Sequence, residues 1–397
     1  MSDLKAAVLD KTLVTTSSKA YNAAIAIFGL LAAIGVAMGI DAMIVGHNSV
    51  YGTTREVPWG ILISTYVFFV VTSTGLCLVS SIGHVFGMES FMPIAKRSVF
   101  LAIATIVSGF LVIAFEIENP WRMAIYNVIS PNLTSNIWWM GTLYGAYLFF
   151  MLIEFALLQV GRFKQASMVG LLGVISGVAA HSNLGAVFGL LAAREFWHGP
   201  LMPIYFIASA MMSGCAAILF FTWLAYKTNG WKMSQAMERS LVATGKLGAL
   251  LMAIIMFFTS WKILTGIAGK PPGEYEAMQA ILSGHYSLNF WGGEVMLGMV
   301  LPFLIIMSVR AKNIKAMFIA GALCLIGIFY MRYDLVIVGQ IVPWFEGMSI
   351  ADAPRYFTYT PSFYEIMITL GGFSFCAMAF LMGEKLFSGH LSEEHHG

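Results

Sequence analysis

A chain of 397 residues that is 59% hydrophobic and 11% charged, with a mean hydropathy of +0.80, is too poor in charge for a soluble domain, which averages about 25% charged residues. Its net charge of +2 says little about nucleic acid, because the basic residues are spread along the chain as topology signals, and no nucleic-acid partner is expected. Cys77, Cys215, Cys324 and Cys376 sit singly in apolar runs, so no cysteine cluster offers this chain an iron–sulfur cluster or a c-type haem.

Apolar runs of about 20 residues, enough to cross a hydrocarbon core of about 30 Å, fall near 20–45, 57–86, 93–116, 138–160, 166–192, 201–227, 240–263, 288–309, 314–334 and 361–386. They predict an all-α integral membrane protein with ten spans. The first run follows a polar stretch with Lys5, Lys11 and Lys19 and is too long for a signal-peptide core, so no cleavable leader is expected. Both termini and the loops after spans two, four, six and eight carry 14 Lys and Arg residues, against 7 on the opposite face, with Lys246 unassigned. By the positive-inside rule both termini face the cytoplasm. The longer connections, near 117–137, 264–287 and 335–360, then lie outside and are rich in Pro, Trp, Asn and Gly.

Ionisable residues inside spans are costly and mark candidate sites. In chain order, Asp41 closes span one and reads as interfacial. His84 ends span two and Glu116 ends span three, with Arg122 just beyond. Glu154 lies about two turns inside span four, where a carboxylate must be protonated, paired or hydrated. His181, in AAHSNLGAVFG, lies deep in span five among small residues that leave room for a close helix or a ligand. Lys262 and Arg332 read as outer-edge cations able to snorkel. Arg332 and Asp334, two residues apart, do not face each other on a helix, so a direct pair requires the helix to end there. Glu294 and Glu365, near the starts of spans eight and ten, fit helix-dipole partners as well as functional groups. His84 and His181 differ in depth by roughly 15 Å, which argues against a haem held between them.

Several segments resemble, in order, the polysulfide reductase membrane subunit family, or NrfD-like proteins. They are VPWG with Trp59 at span two, IEFALL with Glu154, HSNLG with His181, FWGGEVMLGMVLPFLII with Glu294, MRYDLVIVGQ with Arg332 and Asp334, and YTPSFYEIMITLGG with Glu365. Where the family often has Asp-x-Gly-Arg, this chain reads EIENPWRM, with Glu116 and Arg122. With ten spans, the chain resembles the branch of that family that includes the hydrogenase, sulfate-reducer and alternative complex III membrane subunits.

That resemblance implies two four-helix bundles, spans 2–5 and 6–9, flanked by spans 1 and 10. The corresponding division is 1–56, 57–192 (first bundle), 193–335 (second bundle) and 336–397. It implies a quinone-interacting subunit of a respiratory complex in a bacterial or archaeal inner membrane, taking menaquinone or ubiquinone. The implied partners are a periplasmic ferredoxin-like iron–sulfur subunit and a catalytic or multihaem cytochrome subunit. A head group is then expected in the first bundle at His181, Tyr144, Glu116, Arg122 and Trp59. Glu154 and His84 are expected on a proton route from the cytoplasm. Arg332, Asp334, Glu294 and Glu365 are expected as docking or structural polar groups. A secondary transporter with buried carboxylates, or a passive anchor for an extrinsic enzyme, are the rival readings.

Overall fold

The structure is a computed structural model that describes residues 18–343 and 354–387; Lys5 and Lys11 lie outside them. Ten helices among the described residues are long and apolar enough to cross a membrane. They are α1 (Lys19–Val45), α2 (Ile61–His84), α3 (Ala95–Glu116), α4 (Asn136–Gln159), α5 (Phe163–Gly189), α6 (Met202–Asn229), α7 (Gln235–Gly269), α8 (Asn289–Ser308), α9 (Ile314–Ile341) and α10 (Phe363–Leu386). A 3-10 turn, Glu89–Ile94, leads into α3, and short helices Pro120–Ile129 and Glu274–Leu282 lie in the connections. With an even number of crossings, residues 18 and 387 share one side, the terminal side; the other is the distal side.

Helix α2 packs on α3 and α5, and α4 on the same two, closing a ring of four. A second ring joins α6 to α7 and α9, and α8 to those two. The rings meet chiefly along α2 and α6, while α1 and α10 pair and lie against α3. Without a hydrophobic drive between helices in lipid, small residues set how close backbones come. At the α2–α6 crossing a Cβ on Gly75 would strike the Ala210 carbonyl and the Gly214 backbone. We expect Gly75→Val to lower stability by about 1–3 kcal/mol through overpacking, read as a fall in unfolding temperature in detergent, while Ser260→Ala, at an exposed position, leaves it unchanged.

Two helices differ from the sequence expectation. Helix α7 runs 35 residues, longer than a bilayer needs, because its first turns continue past the apolar stretch. Helix α9, whose apolar run predicts an end near 334, continues to Ile341. Its charges are not at the membrane edge: Arg332 is fully buried and Asp334 2% exposed, so protein rather than headgroup surrounds them. The HSNLG segment stays helical within α5. The irregular span is instead α8, whose first 12 residues, Asn289–Val300, wind as a π-helix. Such helices are rare and concentrate at functional sites.

Candidate functional site

The MRYDLVIVGQ segment organises the distal side. Gly339 leaves room for the Trp197 ring, whose indole N–H donates to the Leu335 carbonyl at 2.6 Å. Gln340 clasps the backbone of Trp59, accepting from its N–H at 3.0 Å and donating to its carbonyl at 3.0 Å. Trp59 and Trp197 therefore stack, with ring centroids 5.3 Å apart. Arg332 donates through Nη2 to Ser209 Oγ at 2.6 Å and lies over the Phe206 ring. No ion pair joins it to Asp334, since the helix continues and the two point to different neighbours. Snorkelling and partner docking by Arg332 are both corrected, because a fully buried guanidinium reaches neither water nor a partner.

A cavity of about 360 Å³ opens in the second ring at the distal side, enclosed by α6, α7, α8, α9, the Glu195–Leu201 loop and helix Glu274–Leu282. That volume lies in the range of small-molecule sites, which are mostly apolar with a few placed polar groups. Its walls include Trp197, Tyr205, Phe258, Trp261 and Phe290. Three ionisable groups of the spans face it: Lys262, Glu294 and Asp334. Lys262 does not snorkel outward as expected; its ammonium stands 3.6 Å from the Phe196 ring centroid, a cation–π contact. Neither carboxyl oxygen of Asp334 has a hydrogen-bond partner among the described residues, although Asn289 lies beside it. Gly293 fits against the Tyr330 ring, bringing the π-turn of α8 close to α9 and Glu294 to the cavity. At the mouth, burial lifts the Glu274 carboxyl above its usual range, with Lys262 opposing and Glu195 adding to the rise.

The five residues expected around one head group do not converge. Tyr144 and His181 touch: the phenol hydroxyl is 3.1 Å from Nδ1, and Nε2 is 3.0 Å from the Phe206 carbonyl. A carbonyl only accepts, so Nε2 carries hydrogen and Nδ1 accepts from the phenol. Both residues are fully buried, and the rings of Phe206, Phe188 and Trp197 continue from His181 to Trp59 at 5.2–5.7 Å centroid spacings. The His181–Tyr144 pair is thus sealed, and both ring nitrogens are engaged by protein. Glu116 belongs to another neighbourhood, beside Tyr51 and Glu365. Arg122 is exposed on the short helix Pro120–Ile129. Packing between rings, invisible to span-by-span depth, explains the separation.

Glu154 and His84 do meet. The imidazole Nε2 forms an ion pair with the carboxylate, and Nδ1 lies 2.9 Å from the Ser80 carbonyl. Gly170 of α5 makes the space, since its Cβ would stand 3.0 Å from Nε2. The two residues form one station rather than two successive depths. Glu365 is the N3 residue of a capping box with Ser362 on α10 and also accepts from Tyr359 Oη at 2.6 Å and Gly52 N at 2.7 Å. These bonds tie the segments around Gly52 and Tyr359 to the start of α10. Glu365 and Glu294 are buried like Arg332 and Asp334, so none of the four presents a side chain for docking.

A family profile described as polysulphide reductase, NrfD, matches residues 49–343. The chain belongs to the polysulphide reductase NrfD family. It is 27% identical over 372 residues to an Hdr-like menaquinol oxidoreductase integral membrane subunit of Archaeoglobus fulgidus, covering 90% of this chain and 92% of that protein. It is 25% identical over 362 residues to a selenate reductase subunit of Mesobacillus selenatarsenatis (80% and 83%). It is 20% identical over 321 residues to protein NrfD of Escherichia coli (72% and 96%).

For this NrfD-family chain, sequence reasoning misses Ser209, gives Gly339 and Gln340 no role beyond the MRYDLVIVGQ segment that they close, and treats Lys262 as peripheral. Gln340 has a signal, since it closes the MRYDLVIVGQ segment, although hydropathy ends that helix before it. Lys262 has none, because its surroundings come from segments far apart in sequence.

Proposed function

We propose that this chain is the quinone-interacting membrane subunit of a respiratory oxidoreductase complex, and that the distal cavity of the second ring receives the quinone head group. The observation that carries this reading is a cavity with aromatic walls and one ammonium, into which the spans bring the carboxyl groups of Glu294 and Asp334 while Glu195 and Glu274 add two more from the connecting segments. A relative named as a menaquinol oxidoreductase subunit supports it. A quinone exchanges two electrons and two protons, so its oxygens need a donor as they gain charge and an acceptor as they release protons. Lys262 supplies the donor, and Glu294 and Asp334 hold or take up protons. Arg332 stands behind Glu294, fixed on Ser209, and offsets its charge. The sealed Tyr144–His181 pair braces Phe206 from the other side.

The distal side then faces the periplasm, where a ferredoxin-like iron–sulfur subunit and a catalytic or multihaem subunit dock on the loops. Both termini are cytoplasmic. Glu154 and His84 form the inner mouth of a proton route, with Tyr147 and the Tyr144–His181 pair further along the buried face of α4. Met151 separates Glu154 from Tyr147 on that face, so water must bridge it.

Two experiments test the reading. Lys262→Met in the assembled complex should raise the KM for quinol at least about tenfold, the loss of one charged hydrogen bond. Labelling with an azidoquinone should mark peptides of α7 and α8; labelling confined to α4 and α5 around Tyr144 and His181 would return the site to the first ring. Separately, Glu154→Gln should slow proton uptake from the inside of sealed vesicles. Unchanged uptake at full turnover eliminates the route without touching the cavity assignment.

A further inference from the structure

We propose that a groove between α7 and α8 on the terminal side binds an anionic phospholipid, its phosphate between Lys246 and Arg310 and an acyl chain along the groove. The two cations stand on neighbouring segments and line an open groove of about 440 Å³ whose other walls include Ala249, Leu250, Phe303 and Met307.

Three observations point to lipid. First, Lys246 is exposed at the head of a stripe on α7 that continues through Leu250, Phe257, Trp261 and Leu264, all more than half exposed. A stripe of large apolar side chains at helical spacing, uncovered by protein on a membrane span, is a face turned to lipid. Met307 and Leu304 present the same character on α8. A lysine in such a row needs an anion or a path to the interface. Second, Arg310 supplies a second positive charge at the same level. It follows the end of α8, where Arg310 and Ala311 take left-handed backbone angles of 48° and 54° and turn the chain towards α9. Third, α8 ends at Ser308, two residues before Arg310, and Lys246 of α7 lines the same groove, so the two cations lie together at the terminal-side end of the α8 span. Paired basic residues above an apolar cleft are the arrangement that takes an anionic headgroup with its tail. The apolar walls commit the site to a lipid rather than free phosphate.

Neither cation lines the distal cavity, so lipid retention and not quinol turnover is the readout. The complex is purified from membranes and exchanged into nanodiscs of phosphatidylcholine containing phosphatidylglycerol, and bound lipid is quantified by native mass spectrometry. The Lys246→Gln/Arg310→Gln double variant should retain about tenfold less phosphatidylglycerol than the parent. Lys246→Arg/Arg310→Lys, which keeps both charges, should retain it and so excludes misfolding as the cause. Phosphatidylcholine binding should be equal in all three. Equal phosphatidylglycerol retention by the parent and the Gln variant would overturn the proposal, as would displacement of the lipid by inorganic phosphate alone.

Discussion

Asp334→Leu is expected to raise the unfolding temperature of the detergent-purified chain while depressing quinol turnover of the assembled complex. Asp334 is 2% exposed, and the Asn289 side chain beside it makes no well-formed hydrogen bond to either buried carboxyl oxygen. Leaving a buried polar group unsatisfied costs about 1–3 kcal/mol, which a leucine of similar size removes. Such opposed effects on stability and activity are the mark of a group kept for function. If the cavity receives a quinone, the same change removes a hydrogen-bonding partner from the head group, and turnover falls about tenfold or more. Thermal unfolding and quinol oxidation are measured on the same preparations. A variant that is both less stable and fully active would show that Asp334 serves the fold, and would remove it from the site.

The largest effect on stability should come from the terminal side. Arg97 of α3 and Glu384 of α10 form a bidentate pair, Nε to Oε1 at 2.6 Å and Nη2 to Oε2 at 3.2 Å. Both are nearly inaccessible, and the guanidinium lies 5.4 Å from the Tyr226 ring centroid on α6. Arg97→Leu strands a buried carboxylate and should cost about 3–5 kcal/mol. The double variant Arg97→Leu/Glu384→Leu should recover most of that loss, because replacing both partners by apolar groups is often near neutral. Urea or thermal unfolding of the four forms of the cycle gives the coupling. Additive losses would mean that the two side chains do not support each other.

The polar residues show how much is legible in the chain. Its depth in span four marks Glu154 as a carboxylate that must be paired or protonated, and it is paired, but its partner reads in sequence as a separate interfacial histidine. Their meeting depends on Gly170, on a third helix, giving way to both side chains. Arg332 and Asp334 read as membrane-edge groups because isolated charges end apolar runs in lipid. In α9 they do not, since the surrounding helices rather than lipid are their solvent. Glu365 is legible as a group at a helix start: its Ser362 lies three residues before it, a capping box visible in the sequence. His181 stands out by its small neighbours, yet that space is filled by Phe206 and Tyr144.

By itself the sequence determined the solvent, the ten crossings and the residues that cannot lie in lipid, because the cost of burying polar groups in hydrocarbon acts locally along a span. It also carried the family segments, from VPWG to the final glutamate. Only the tertiary structure decided that the second ring holds a distal cavity, that Lys262, Glu294 and Asp334 face it together, and that Tyr144 and His181 are sealed. Those facts arise from how side chains on α6, α7, α8 and α9 fill or fail to fill shared space, and hydropathy along one helix holds no record of its neighbours.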